Sequence, residues 1–276
     1  MKLFKFYSFA NKGDVDRFID NICNRRLPCN HPIKFNDPFE GVYFFTGLTK
    51  MGKKELKEFK KPIRKQIPPD KKNLFDIQNA VLTNRAIVSC LCKENVFKND
   101  AFSDLMWAHY ANNHEGACVE YEFDNDLAKS FECDEDGYKI YNYQRRGYHF
   151  PAKKLILHNV KYCNTPHVVQ FKNDISVTDE LDFLFTKSKV WEYENEVRVV
   201  ASLITSADNL AFDLSTYYAI EYKEECLKSI RFGINIKEKY KKRIIKIIKE
   251  LDVQCSLYQS YISDSSCYLQ YQTISE

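Results

Sequence analysis

Short motifs that mark several large enzyme classes are missing from this sequence. Its 276 residues contain no Walker A loop, no GxGxxG turn, no HExxH pair and no serine nucleophile elbow. These motifs position a phosphate, a dinucleotide, a zinc ion or a reactive serine. The enzyme classes that are built on them are therefore disfavoured.

Closely spaced cysteine pairs are also missing. The ten cysteines include no CxxC, and only Cys90 and Cys92 lie near each other in the chain. On a strand both thiols would point to one face, but two ligands do not complete a zinc site. We therefore predict no metal cofactor and expect reduced, mostly buried thiols, as in cytoplasmic proteins.

No long apolar run or secretory leader is evident. No segment approaches the roughly 18 consecutive apolar residues of a membrane helix. The first residues, MKLFKFYSFANKGD, lack a charged start followed by a continuous apolar core. We expect a cytoplasmic protein without membrane association, and the sequence leaves its oligomeric state open.

Neither charge dominates the chain. The 41 basic and 38 acidic residues give a net charge of +3, which does not by itself indicate nucleic-acid binding. Apolar residues make up 44% of the sequence, with 20 Phe and 18 Tyr but only 8 Gly and 8 Pro. This composition is typical of a folded globular protein with a substantial core.

The hydrophobic periodicity alternates between strands and helices. Strands are predicted in 2–10, 85–94, 117–124, 153–163 and 191–200, with another in 217–236 and a closing hairpin that turns at Ser263–Ser266. Helices are predicted in 14–27, from a Ser103 cap to about Gly116, in 175–190 and in 237–251. We therefore predict one α+β domain over 1–276, with a mixed, mainly antiparallel sheet and peripheral helices.

A lysine-rich stretch at 50–75 interrupts this pattern. We interpret 48–80 as a basic helical insertion into the domain. Such a stretch can be a mobile flap that meets phosphates, or a solvated helical excursion that ends at the Pro68-Pro69 break. The sequence does not decide between these two roles.

The segment KSKVWEYENEVRVV, residues 187–200, places Glu194, Glu196 and Arg198 on alternate positions. Read as a strand, it has one charged face and one apolar face that contains Val197 and Val199, with the two carboxylates about 7 Å apart at Cα. The charged face is either a solvated ion-pair surface with Arg198 as partner or a reaction centre. A reaction centre predicts that Glu196→Ala abolishes activity without lowering stability.

Three blocks carry a family resemblance: FNDPFEG at 35–41, LMWAHYANNHEGACVEYEFD at 105–124, and KSKVWEYENEVRVV. They resemble a bacterial family of unknown function marked by FNDPFE, MWxHY and KxxxWxxExExR. The layout also resembles, in outline, the ADP-ribosyltransferase superfamily. That resemblance implies an ADP-ribosyltransferase-like sheet, NAD as substrate, Glu196 at the catalytic glutamate position and Glu194 at the upstream acidic position.

Further candidate site residues come from the other two blocks and the first strand. His109 is a candidate general acid or phosphate contact, Trp107 is a candidate to cover an apolar ring, and Tyr110 is a candidate for substrate binding. All three can instead form an aromatic stripe that packs on the sheet. Arg198 is a further candidate for substrate binding. The remaining candidates are Tyr7, where the transferase pattern has His or Arg, and a closing loop with Asn36, Asp37 and Glu40, which can equally fix a turn.

Three functions remain open from the sequence. The first is an NAD-consuming or ADP-ribosyl-transferring enzyme, such as a bacterial toxin or antiphage defence effector, with a protein or nucleic acid as acceptor. The second is a metal-dependent nuclease or phosphodiesterase that holds magnesium with Glu194, Glu196, Asp37 and Glu40. The third is a nucleotide-binding sensor without catalysis.

Overall fold

The computed structural model describes residues 1–35, 37, 43–46, 86–98, 100–144, 149–165, 167–170, 179–202 and 216–274. The predicted basic insertion at 48–80 lies outside the described residues, as do Asn36 and Glu40. The predicted single-domain boundary, 1–276, therefore stays a prediction.

Four α-helices lie in the described part of the chain: α1 (Lys12–Cys23), α2 (Asn95–Lys98), α3 (Asp100–Tyr110) and α4 (Glu238–Glu250). A capping box starts α1, because the Asn11 side chain accepts from the Asp14 backbone and the Asp14 side chain accepts from the Asn11 backbone. The predicted Ser103 cap is wrong, since α3 begins at Asp100 and Ser103 is buried within it. Among the described residues, no helix has both the length and the apolar character needed to cross a membrane.

Seventeen strands, counted over the described residues, form four sheets. The largest contains β1 (Lys2–Tyr7), β4 (Ala86–Lys93), β5 (Ala117–Glu122), β9 (Lys154–Asn159), β13 (Glu196–Ser202), β15 (Leu227–Phe232), β16 (Ser256–Ser263) and β17 (Ser266–Thr273). The second contains β2 (Arg26–Cys29), β6 (Cys133–Asp134), β7 (Gly137–Asn142), β8 (His149–Ala152) and β14 (Tyr218–Glu221). Two strand pairs complete the set: β3 (Tyr43–Thr46) with β11 (His167–Gln170), and β10 (Lys161–Cys163) with β12 (Thr186–Ser188).

The strand order of the large sheet is β17-β16-β15-β5-β1-β4-β13-β9. Of these neighbours only β15 and β16 are parallel, and the pairs of the second sheet are all antiparallel. The predicted α+β class with a mixed, mainly antiparallel sheet is confirmed.

The main core lies between one face of the large sheet, the second sheet, and helices α1 and α4. Alternate residues of each strand enter it, as the period of two requires. Its members include Leu3, Ile87, Val119, Val197 and Val199 from the large sheet, Leu27, Ile140 and Ile220 from the second, Phe18 from α1 and Ile244 from α4. The opposite face of the large sheet is covered by α3, where Met106 and Trp107 pack against Phe4, Cys92 and Cys118.

The large sheet separates between its central strands β1 and β4. These strands pair only at Leu3 with Lys93 and at Phe4 with Cys92, whereas β1 pairs with β5 along its whole length. Beyond the split, the ammonium of Lys5 donates to the carbonyl of Cys90 at 3.0 Å. A side chain thus replaces the missing backbone bonds, and space opens between the two strands.

The segment 187–200 differs from its predicted single strand. Lys189–Glu194 forms a 3₁₀ helix, Asn195 takes a left-handed backbone with φ 46° and ψ 50°, and strand β13 begins only at Glu196. Asparagine is among the few residues that adopt this backbone readily. The strand prediction is therefore right for Val197 and Val199 but wrong for Glu194.

Other predicted elements also differ. The strand predicted in 217–236 is two strands, β14 and β15, which belong to different sheets. The strand predicted at 153–163 is interrupted at Val160, which separates β9 from β10. The helix predicted at 175–190 is, in its described part, a 3₁₀ helix (Asp179–Phe185) followed by β12. All ten cysteines are described and none forms a disulfide; four are buried, four half-buried and two exposed.

Candidate functional site

A pocket of about 390 Å³ occupies the opening between β1 and β4. Its walls include Lys5, Phe6 and Tyr7 from β1 and Val88, Cys90 and Leu91 from β4. Lys187, Glu194, Glu196 and Tyr110 complete the wall on the side of α3 and β13. The pocket therefore combines an apolar lining with a compact group of charged side chains, as ligand sites commonly do.

The charged group is centred on Lys187. Its ammonium lies 2.5 Å from Oε2 of Glu194 and 3.2 Å from Oε2 of Glu196, and all three side chains are buried. The same ammonium lies 5.0 Å from the centre of the Trp191 ring. One cation thus joins two carboxylates that come from different local structures.

Arg198 binds the second carboxylate from behind. Its Nε donates to Oε1 of Glu196 at 2.7 Å, its Nη2 donates to Oε2 at 3.2 Å, and its Nη1 donates to the carbonyl of Leu184 at 2.6 Å. Arg198 is fully buried. Two cations and two carboxylates balance in charge, which makes burial of all four groups tolerable.

Two tyrosines complete the surroundings of the glutamates. The hydroxyl of Tyr110 donates to Oε1 of Glu194 at 2.5 Å, and the hydroxyl of Tyr162 accepts from the backbone N–H of Glu196 at 2.7 Å. Burial, together with the nearby carboxylates, raises the pKa of both phenols. Both tyrosines are therefore neutral hydrogen-bonding groups at physiological pH.

The two glutamates have pKa values that are shifted in opposite directions. Burial raises the pKa of Glu194 to about 7, and the negative charge of Glu196 adds to the shift despite the opposing cation of Lys187. Burial acts in the same sense on Glu196, but the cations of Arg198 and Lys187 outweigh it and hold the pKa of Glu196 well below its usual range. Glu194 is therefore the group that exchanges a proton near neutral pH, while Glu196 stays ionised.

The local backbone explains how both carboxylates reach one lysine. β12 pairs in parallel with β10, which sets Tyr162 opposite Lys187. The 3₁₀ helix then carries the chain to Glu194, and the left-handed Asn195 turns it into β13. A single strand over the same residues would have kept the carboxylates apart along its axis.

The structure brings four of the predicted site residues together: Glu194, Glu196, Tyr110 and Arg198. Tyr7 also lines the pocket. Its hydroxyl, however, is hydrogen-bonded to Tyr121 at 2.8 Å within the core, and burial raises the pKa of Tyr7.

Other predicted residues lie elsewhere. His109 is exposed on α3 and does not line the pocket. Trp107 is fully buried, and its Nε1 donates to Tyr271 at 3.0 Å, so it belongs to the packing of α3 against the sheet. Asp37 is buried but does not line the pocket, and Asn36 and Glu40 lie outside the described residues.

Three site residues are not predicted from the sequence: Lys5, Tyr162 and Lys187. Lys187 had a usable signal, because it is the first fixed position of the KxxxWxxExExR pattern whose later positions are Glu194, Glu196 and Arg198. Lys5 and Tyr162 had none, since their roles depend on the split of the sheet and on the pairing of β10 with β12.

Comparison with protein families places part of the site in a known sequence pattern. Residues 106–199 match the family model described as "Protein of unknown function (DUF2971)". The match covers about a third of the chain and includes Tyr110, Tyr162, Lys187, Glu194 and Glu196. No curated protein and no solved structure matches this chain, so the resemblance to ADP-ribosyltransferases has no support from the comparisons.

The glutamates are poorly arranged for the magnesium site considered from the sequence. Lys187 lies between the carboxylates, where a shared metal ion would have to bind. Over the described residues, no group of three or more His, Cys, Asp or Glu side chains is arranged to hold a metal ion.

Proposed function

We propose that the pocket is the active site of an enzyme that cleaves the nicotinamide–ribose bond of NAD. The observation that carries the proposal is a pair of buried carboxylates on one pocket wall, bridged by Lys187, of which Glu194 accepts from Tyr110 and Glu196 accepts from Arg198. Environments that separate the pKa values of neighbouring acids assign one to proton transfer and the other to charge stabilisation. Glu194 fits the first role and Glu196 the second.

The reaction assigns a task to each group. The bond between ribose C1′ and the nicotinamide nitrogen breaks, and its electron pair leaves with nicotinamide. Positive charge develops on the ribose, as in glycoside hydrolysis, and the ionised Glu196 favours it electrostatically. A water or acceptor hydroxyl forms the new bond to C1′, and Glu194 takes its proton and later releases it to solvent. With water as acceptor, the products are ADP-ribose, nicotinamide and a proton.

Lys187 makes this proton transfer feasible in a buried site. When Glu194 is ionised, the ammonium is shared between two carboxylates. When Glu194 accepts a proton, Lys187 keeps Glu196 as its partner. Each buried cation therefore keeps a contact with a carboxylate in both states, because Lys187 and Arg198 share Glu196 when Glu194 is protonated. A buried cation without any such contact would cost several kcal/mol.

The proposed activity has a biological consequence. An enzyme that consumes NAD, or transfers ADP-ribose to a protein or nucleic acid, can act as a bacterial toxin or antiphage defence effector. NAD is an intracellular metabolite, so the proposal also places the protein in the cytoplasm.

Nicotinamide release from NAD tests the proposal, with and without a cell lysate as source of acceptor. We expect turnover by the wild-type protein and a loss of about 100-fold or more in Glu194→Gln, the usual contribution of a general base. Glu192→Gln is the matched control, since Glu192 is an exposed carboxylate on the same 3₁₀ helix. Absence of release under both conditions, or equal rates for the two variants, would overturn the proposal.

A nucleotide-binding sensor is the second candidate. It is favoured by the saturation of Glu196, whose two oxygens already accept from Lys187 and from two nitrogens of Arg198. Calorimetry with NAD and product analysis on the same sample separate the two functions. A sensor gives saturable binding without nicotinamide release.

A further inference from the structure

A second, smaller cavity adjoins the candidate active site. It measures about 180 Å³ and shares Tyr7, Ser8, Pro28 and Asn30 with the larger pocket. The shared residues come from the end of β1 and from β2 with the residue that follows it. The two cavities are therefore neighbouring compartments of one cleft.

The smaller cavity presents an aromatic side chain to solvent. Tyr217 lines it and is 51% exposed, whereas its neighbour Tyr218 is buried. Tyr143 lies on the same wall and is fixed by a hydrogen bond from its hydroxyl to Asn21. An exposed aromatic ring on a cavity wall is a surface on which a planar base can stack.

Cations flank this ring. The ammonium of Lys34 lies 4.7 Å from the centre of the Tyr217 ring, and the guanidinium carbon of Arg17 lies 5.8 Å from it. Arg17 also forms an ion pair with Asp14 at 2.5 Å. Two cations thus lie against the ring of Tyr217, and Lys34 is the one that also lines the larger pocket.

Lys34 also connects the two compartments. It lines the larger pocket and contacts the tyrosine of the smaller one, and its ammonium donates to the carbonyl of Thr216 at 3.3 Å. Lys5, on the wall of the larger pocket, makes no ion pair with a carboxylate of the described residues. Lys5 and Lys34 thus line the larger pocket together with Glu194 and Glu196, and Lys34 is the cation that also contacts the ring of Tyr217 in the smaller one.

We propose that the two compartments together bind a dinucleotide, with a base stacked on Tyr217 and the pyrophosphate beside Lys34. This inference rests on the proposed function, and it assigns the ADP half of the substrate to the smaller cavity. The reacting ribose then lies in the larger pocket with the glutamates. Burial lowers the pKa of Lys5, and a phosphate nearby would favour its charged form.

Calorimetry with ADP-ribose and with nicotinamide mononucleotide tests this arrangement without requiring turnover. Only ADP-ribose carries the adenosine half. We expect Tyr217→Ala to weaken ADP-ribose binding about tenfold or more, in line with the loss of one stacked base. Its affinity for nicotinamide mononucleotide should stay within about twofold. Lys34→Gln should weaken ADP-ribose binding as well, because it removes the cation beside the pyrophosphate.

Tyr261→Ala serves as the control, because Tyr261 is an exposed tyrosine on β16 that lines neither cavity. Equal ADP-ribose affinity in Tyr217→Ala and Tyr261→Ala would overturn the inference, as would equal weakening of both ligands by Tyr217→Ala. ADP-ribose binding that depends on Tyr217, without nicotinamide release, would reject only the proposed reaction. NAD turnover with a KM unaffected by Tyr217→Ala would reject only the second compartment.

Discussion

The ammonium of Lys187 lies 2.5 Å from the carboxylate of Glu194, and both side chains are buried. A contact of this kind is strongly favourable only while both partners are present. Removal of one charge leaves the other buried without its partner, and that costs more than the pair contributes by itself.

Lys187→Met should therefore lower the free energy of unfolding by about 3–5 kcal/mol, the usual cost of breaking a buried ion pair. Urea denaturation followed by circular dichroism measures the change. Lys189→Met is the control, since Lys189 is exposed two residues further on, and it should change stability by less than about 0.5 kcal/mol. Similar unfolding curves for the two variants would show that Lys187 is not an essential counter-charge.

The pH dependence of stability should reveal the raised pKa of Glu194. The pKa of Glu194 rises from 4.5 in the unfolded chain to about 7 in the folded protein, so the folded state binds more protons between these values. The contribution of this proton binding to the free energy of unfolding is fully present below about pH 4.5 and is lost as pH rises through 7. A pKa shift of this size corresponds to a loss of up to about 3 kcal/mol in the free energy of unfolding.

Glu194→Gln removes this titration, so its stability should vary less than that of the wild type between pH 5 and about 7.5. Turnover should follow the opposite course, because the ionised form accepts the proton, and should rise as pH increases through about 7. Denaturation curves and nicotinamide release across this range measure both. A wild-type stability that increases with pH over the range would contradict the assignment.

The sequence predicts the fold class because the strand and helix periods are clear in most elements. Alternation in β1, β5 and β13 and the isoleucine stripe of α4 correspond to faces that the structure buries. The split between β1 and β4 was not predictable, since both strands have regular patterns and their partial pairing depends on contacts distant in sequence.

The two glutamates show where periodicity fails. The alternation of Glu194, Glu196 and Arg198 indicates one strand face. The same sequence spacing is, however, compatible with the 3₁₀ helix that ends at Glu194 and the left-handed Asn195 that follows it. The convergence on Lys187 and Tyr110 is a tertiary effect that no local pattern specifies.

Glu196→Ala should lower the stability of the protein, although the sequence alone predicts no loss at this position. Glu196 is buried and accepts from both Lys187 and Arg198, so its removal leaves the fully buried Arg198 without this counter-charge. We expect a loss of about 3–5 kcal/mol in the free energy of unfolding, measured by urea denaturation, with Glu192→Ala as the exposed control. An unchanged midpoint would contradict this role of Glu196 as a buried counter-charge, and only unchanged activity as well would support the solvated face considered from the sequence.

Val199→Asp should unfold the protein. Val199 is fully buried in the main core, with Ser89 and Leu157 opposite it on the neighbouring strands. An unpaired buried carboxylate costs several kcal/mol, against a total stability of about 5–15 kcal/mol for a typical domain. Val190→Asp makes the same change at a residue that is 75% exposed and should remain folded. Circular dichroism and solubility distinguish the variants, and a folded Val199→Asp protein would disprove the placement of this strand.

Trp107 should contribute to stability and not to substrate binding. The ring is fully buried, and its centre lies 5.2 Å from the centre of the Phe6 ring in an edge-on arrangement. Its Nε1 donates to the hydroxyl of Tyr271 at 3.0 Å. Trp107→Phe removes the donor and leaves a cavity, so we expect a loss of about 2–4 kcal/mol in the free energy of unfolding. Tyr271→Phe removes the same bond, so the double variant should lose less than the sum of the single losses. The KM for NAD should stay unchanged in Trp107→Phe. A raised KM with unchanged stability would instead restore Trp107 to the role of a ring-covering residue that its sequence context allowed.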